Sequence, residues 1–199
     1  NMVDMIVVGN VLGKVGISAV SIGGDISNLL TFAAMGFANA GQVLIARYIG
    51  AKQKDCIGRF VGTMSSFLMV CAVVISVVAL LFQDTLLHLM NTPPESYSGA
   101  ASYSTICIVG LVFIYGYNVV SAILRGMGDS KNPFIFVSIA AVTNLVLDIV
   151  FVIFMHMGPE GAALATVISQ AFSFIACTVF LTRNRRRFEL NITRGDFLH

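Results

Sequence analysis

The chain has 199 residues, of which 57% are hydrophobic and only 11% charged, and its mean hydropathy is +0.87. Soluble domains carry about 25% charged residues, so the composition excludes an ordinary soluble domain and points to a lipid bilayer as the surrounding solvent. The net charge of +2 gives no argument for a nucleic-acid partner, and none is expected.

The charges are segregated. No Asp, Glu, Lys or Arg occurs between Asp25 and Arg47, Arg59 and Asp84, Glu95 and Arg125, or Glu160 and Arg183. Each gap exceeds the roughly 20 residues that cross a bilayer as a helix. A fifth apolar stretch, 132–159, is interrupted only by Asp148. The expectation is an all-α membrane protein, because backbone in hydrocarbon must satisfy its own hydrogen bonds.

In chain order, the first predicted helix covers about 1–11. It is too short to span and lacks a start methionine, so the chain reads as a fragment with a truncated first helix, and no signal peptide is recognisable. Gly9, Gly13 and Gly16 mark the turn out of it. The second helix, about 15–49, carries a polar stripe. Ser21, Asn28, Met35 and Gln42 recur every seven residues, with Asp25, Phe32 and Asn39 beside them. At 100° per residue these seven stay within about 100° of arc. Such a stripe suits a wet cavity with adaptable recognition, or equally a packing seam held by hydrogen bonds between helices. Asp25 reads as a residue near the outer headgroups, with a cavity role as the alternative.

The third helix is predicted over about 55–89 and ends at Asn91-Thr-Pro-Pro94, since proline lacks an amide hydrogen and restricts its predecessor. The fourth runs over about 95–127, stopped by Gly126 and Gly128. Asn132-Pro133 opens the fifth, about 133–157. Gly158-Pro-Glu-Gly161 turns into the sixth, about 159–183. Small residues at helix-contact spacing recur as Gly58/Gly62, Gly161/Ala165 and Ser169/Ser173. Residues 1–187 are expected to form one transmembrane lobe, followed by a linker, 188–199. Cys56, Cys71, Cys107 and Cys177 lack metal or redox spacing and read as packing residues.

Of the 12 Lys and Arg, all but Lys14 fall on the second and fourth connections and the tail. Positive-inside bias puts those segments, including the tail 183–199, in the cytoplasm. The expected setting is a multi-pass protein of the plasma (inner) membrane.

The fifth helix carries the most informative residue. A carboxylate at Asp148 would sit in hydrocarbon, at a cost on the order of 3 kcal/mol or more, and such residues usually serve a function. Asn144 lies four residues earlier, on the same helix face. The alternative is a protonated Asp bonded to a neighbouring helix. With a ~1.5 Å rise per residue, Asp148 and Asp4 both lie ~15 Å below the outer turns, and Thr166 ~11 Å. Two carboxylates, an amide oxygen and a hydroxyl form an all-oxygen set of the kind hard cations prefer. The carboxylates could instead share protons.

At these residues the chain resembles the amino-terminal half of a multidrug and toxic compound extrusion (MATE) transporter. The matching stretches are Val3-Asp-Met-Ile-Val-Val-Gly9, Gly41-Gln-Val-Leu-Ile-Ala-Arg-Tyr-Ile-Gly-Ala51, Ala122-Ile-Leu-Arg-Gly-Met-Gly-Asp129, Asn144-Leu-Val-Leu-Asp148 and Gly161-Ala-Ala-Leu-Ala-Thr166. The resemblance implies a six-helix lobe, half of a twelve-helix transporter, with a carboxy-terminal lobe beyond this chain. It implies a cation site at Asp4, Asn144, Asp148 and Thr166, open to Na+ or H+ as coupling ion, with no other cofactor. Tyr103 and Asn118 are implied as lobe-cavity residues, beside the stripe residues Asn28, Met35, Asn39 and Gln42. The implied activity is multidrug efflux by antiport of small-molecule drugs or metabolites, cationic or amphipathic. A flippase for lipid-linked oligosaccharides is the alternative, though none of the Lys or Arg falls mid-helix to hold a pyrophosphate. An intramembrane enzyme is a remote alternative, resting on Gly126-Met-Gly-Asp129. Asp129 reads instead as a helix-ending turn, and no hydrolase, zinc or P-loop motif occurs, so no enzymatic activity is expected.

Overall fold

Helix is the only regular structure among the described residues of the computed structural model, which are 2–184. The linker expected over 188–199 and most of the basic tail lie outside them. The elements are α1 (Met2–Gly50), α2 (Lys54–Leu81), α3 (Gln83–Leu89), α4 (Pro94–Val109), α5 (Leu111–Gly126), α6 (Lys131–Asp148), a π-helix (Ile149–Phe154) and α7 (Gly158–Arg183). α1, α2, α6 with its π extension, and α7 are long and apolar enough to cross a bilayer, and the pair α4–α5 makes a fifth, bent span. Leu81, Val70, Val142 and Phe154 are among its exposed side chains. So apolar a surface suits contact with lipid.

α1 is two arms, 2–12 and 14–50, that meet at Gly13 (φ 61°, ψ −145°). That backbone region is essentially open to glycine alone. The arms touch: a Cβ at Gly9 would lie 2.7 Å from Ile17 Cγ1, and one at Gly16 2.8 Å from Val8 Cγ1. A Cβ at Gly13 would meet nothing within 4 Å, so Gly13→Ala tests backbone strain alone. It should cost about 1–3 kcal/mol, read as a lowered midpoint of thermal unfolding in detergent. Gly36→Ala, also in open space but on helical backbone, should leave that midpoint unchanged or raise it.

Three of the expected continuous helices are interrupted. The helix expected over 55–89 breaks at Phe82, where Gln83 Nε2 donates to Ala101 O (2.7 Å) and Ser104 Oγ (3.0 Å) on α4. The helix expected over 95–127 bends by 47° at Gly110. Just before the bend, Ser76 Oγ donates to Ile108 O (2.9 Å), drawing that carbonyl towards α2. The expected helix 133–157 widens into a π-helix directly after Asp148, with Met155 N bonded to Val150 O at 3.0 Å. Such windings cluster at functional sites.

Small residues make the α6–α7 hairpin tight. Gly161, Ala165, Ser169 and Ser173, four residues apart on α7, are all buried. A Cβ at Gly161 would lie 3.0 Å from the Cβ atoms of Phe151 and Met157, and Ser173 Oγ donates to Phe136 O (3.2 Å). One core cluster, including Val8, Val20, Tyr103, Cys107, Val152 and Ala162, draws both arms of α1, α4, the π-helix and α7 around one point. The functional candidates lie there. Asp129 does not join them: its two carboxylate oxygens accept Asn132 N (3.1 Å) and Asn132 Nδ2 (2.7 Å), bracing the start of α6. This is a turn, as read from the sequence.

Candidate functional site

Four of the expected residues meet. Asp4, on the short first arm of α1, is 1% exposed, and Asp148, at the end of α6, is 0% exposed. Asp4 Oδ2 accepts from Thr166 Oγ1 on α7 and from the Tyr103 hydroxyl on α4, each at 3.0 Å. Asn144 Nδ2 donates to Thr166 Oγ1 at 3.3 Å. Ser169 Oγ donates to the Thr166 carbonyl at 2.9 Å, steadying that turn of α7. The antiparallel hairpin brings Thr166 to Asn144, and the fold of α1 at Gly13 brings Asp4 to both.

The two carboxylates are treated differently. Asp4 has two hydroxyl donors on one oxygen, whereas no donor among the described residues reaches either oxygen of Asp148. The Asp4 carboxyl lies close enough to Asp148 for the two charges to interact. Two carboxyls can bond to each other only when one carries a proton, and two bare carboxylates at close range repel strongly in a low dielectric. The pair therefore calls for one positive charge. Among the described residues no three His, Cys, Asp or Glu side chains converge. The donor set is two carboxylates with neutral oxygens, which suits a proton or a hard monovalent cation better than a transition metal.

A cavity of about 170 Å³ adjoins the site, lined by Asn144, Thr166, Ala140, Ala141, Ser169 and Gln170 among others. Ser169 entered the sequence reading only as a packing residue, and Gln170 escaped it. They stand three and four residues from Thr166 on α7, and that spacing was the available signal.

The stripe residues divide. Gln42 accepts from Arg125 Nε (2.8 Å) across the α1–α5 contact, so this end of the stripe is a seam. Asn28, Met35 and Asn39 are exposed on α1. Asn118 donates to the Ile114 carbonyl of its own helix (2.8 Å) rather than to the cluster. For Asp25 the packing of the neighbouring turn favours the cavity alternative over the headgroup position. A Cβ at Gly23, two residues earlier, would lie 2.7 Å from Tyr103 Cδ1, which puts this part of α1 level with the carboxylate pair.

Tyr103→Phe removes one donor to Asp4 while keeping the ring against Gly23. A hydrogen bond to a charged acceptor contributes about 1.5–3 kcal/mol. Tyr103→Phe should therefore lower the midpoint of thermal unfolding in detergent by a few degrees.

A multi-span helical lobe that buries two carboxylates at its centre has the architecture of an integral membrane protein. The sequence profile of the MatE family matches residues 1–150, and the chain belongs to that family. It is 31% identical to the probable multidrug resistance protein YoeA of Bacillus subtilis over 99% of its length, and covers 43% of that protein. It is 27% identical to the probable multidrug resistance protein YpnP of the same organism over 92% of its length, covering 41%. A MATE crystal structure in the bent conformation superimposes with a TM-score of 0.93 at 28% identity, over 100% of this chain and 44% of that one. An inward-facing multidrug resistance MATE family transporter gives 0.91 at 27% identity, over 100% and 45%. These relatives are transporters, not enzymes, and this chain spans less than half their length.

Proposed function

We propose that the chain forms one half of a cation-coupled antiporter that exports cationic or amphipathic small molecules across the plasma (inner) membrane. The observation that carries this reading is Asp148, fully buried, without a hydrogen-bond donor among the described residues, and close to the Asp4 carboxyl. One H+ or Na+ neutralises the pair, and the Asn144 and Thr166 oxygens complete its surroundings. Asp4 rides on the short first arm of α1, whereas Asp148 and Thr166 belong to the tight α6–α7 hairpin. Neutralisation removes the repulsion between these two bodies and so favours one packing of the arm. Coupling follows if the cation binds the two packings with different affinity. The substrate occupies the space beside the site and along the exposed side of α1, against a second lobe of the kind implied by the length of the relatives.

Efflux from energised cells or proteoliposomes carrying the complete protein tests this, with the Na+ and H+ gradients collapsed separately. Loss of efflux with one of them identifies the coupling ion. Efflux unchanged with both collapsed contradicts the reading.

A further inference from the structure

Asp25 is used by neither the cation pair nor the helix seams. Its side chain is exposed, while Gly23, Gly24 and Ile26 around it are buried. It lies two residues beyond the Gly23–Tyr103 contact, about 3 Å along the helix axis, and Tyr103 bonds Asp4. Asp25 is therefore at the depth of the buried carboxylates but on the opposite, open side of α1. No basic side chain among the described residues pairs with it.

The open surface of α1 is itself divided. Asp25, Asn28, Met35 and Asn39 run along one side, whereas Leu29, Phe37 and Leu44 lie to the other, where Phe37 meets Phe67 of α2 at 5.7 Å between ring centroids. A face turned wholly to lipid would not gather an Asp and two Asn at one edge, since a carboxylate in hydrocarbon is strongly disfavoured. Such an edge suits a water-filled cleft rather than lipid. Phe32, 65% exposed on that edge, and Met35 add an aromatic ring and a thioether. Rings attract cations over their faces, and thioethers adapt to irregular apolar shapes.

We propose that Asp25 is the residue that selects substrates by charge: its carboxylate receives the positive centre of an organic cation, flanked by Asn28, Phe32 and Met35. This rests on the export reading above and divides the labour within it. Asp4 and Asp148 hold the coupling ion, and Asp25 holds the charge of the cargo.

Equilibrium binding to the complete, purified protein tests the assignment with two probes of similar shape, the permanent monocation tetraphenylphosphonium and uncharged triphenylphosphine oxide. Asp25→Asn should weaken tetraphenylphosphonium binding by about tenfold, the scale of one partly desolvated ion pair. It should leave the neutral probe unchanged, and Asp25→Glu should restore the cation. Equal weakening of both probes, or no weakening of either, overturns the proposal. Should Asp25→Asn disturb folding, Asp25→Cys in a background without other cysteines gives an independent reading. A water-soluble thiol reagent should modify it, more slowly with tetraphenylphosphonium present, and a Cys that resists the reagent or ignores the probe overturns the proposal. A wild-type protein that binds no organic cation and shows no gradient-driven efflux fails the export reading itself. Wild-type efflux with an indifferent Asp25→Asn fails only this inference.

Discussion

Asp148→Asn in the complete protein should abolish gradient-driven efflux, lowering it at least a hundredfold (about 2.7 kcal/mol or more), while expression, membrane insertion and thermal stability persist. Asn keeps the shape of Asp and removes the charge that a coupling ion must neutralise. Stability is not expected to fall, because no donor to Asp148 is lost and the repulsion with Asp4 disappears. Relief of a like-charge pair in low dielectric is favourable. Asp148→Glu keeps the charge but lengthens the side chain in a fully buried place. It should retain coupling at reduced rate and lose stability through overpacking. A variant that is both stable and silent separates an ion site from a structural hydrogen bond, since a structural Asp replaced by Asn would destabilise the protein without altering ion dependence.

Gly110→Ala should lower both the stability of the lobe and efflux by the complete protein. The added Cβ would lie 2.4 Å from Val167 Cγ2 and 2.9 Å from Val167 Cγ1. Valine is stiff at χ1, so it cannot swing clear, and one of the two helices must shift. Overpacking of this kind costs about 1–3 kcal/mol, a fall in the unfolding midpoint of several degrees. Because Val167 neighbours Thr166, the shift also displaces the hydroxyl that bonds Asp4, and efflux should fall with stability. Val167→Ala in the same protein removes both clashing methyl groups and should restore stability and efflux together. Restored stability without restored efflux would mean that the bend acts on transport by a route other than Thr166.

Much of this arrangement was legible in the sequence, because membrane helices declare themselves by charge-free length and their turns by Gly and Pro. Asn144 and Asp148 shared a face by spacing alone, and Thr166 followed from a hairpin too short to place it elsewhere. The approach of Asp4 was legible only as a matter of depth, since residue counting gives height within a membrane but not direction around a bundle. Its partners Tyr103 and Thr166 supply that direction. The bend at Gly110 was hidden because its causes, the Ser76 hydroxyl and the Val167 side chain, lie on other helices. The π-helix was hidden for a similar reason: Ile149-Val-Phe-Val-Ile-Phe154 has the composition of any apolar helix. For Asp25 the sequence left a headgroup position and a cavity role open, because the contact of Gly23 with Tyr103, which favours the second, is made between helices.

If Asp4 and Asp148 hold the coupling ion, that ion and the substrate are linked through one lobe. Linkage is reciprocal, so each ligand must change the affinity of the other by the same factor. The direct measurement is the dissociation constant of tetraphenylphosphonium for the complete, purified protein, titrated against Na+ and against pH, in wild type and in Asp148→Asn. One of the two ions should weaken binding in wild type, by about five- to 150-fold, and this dependence should be absent from Asp148→Asn. The same ion dependence in both proteins would contradict that linkage.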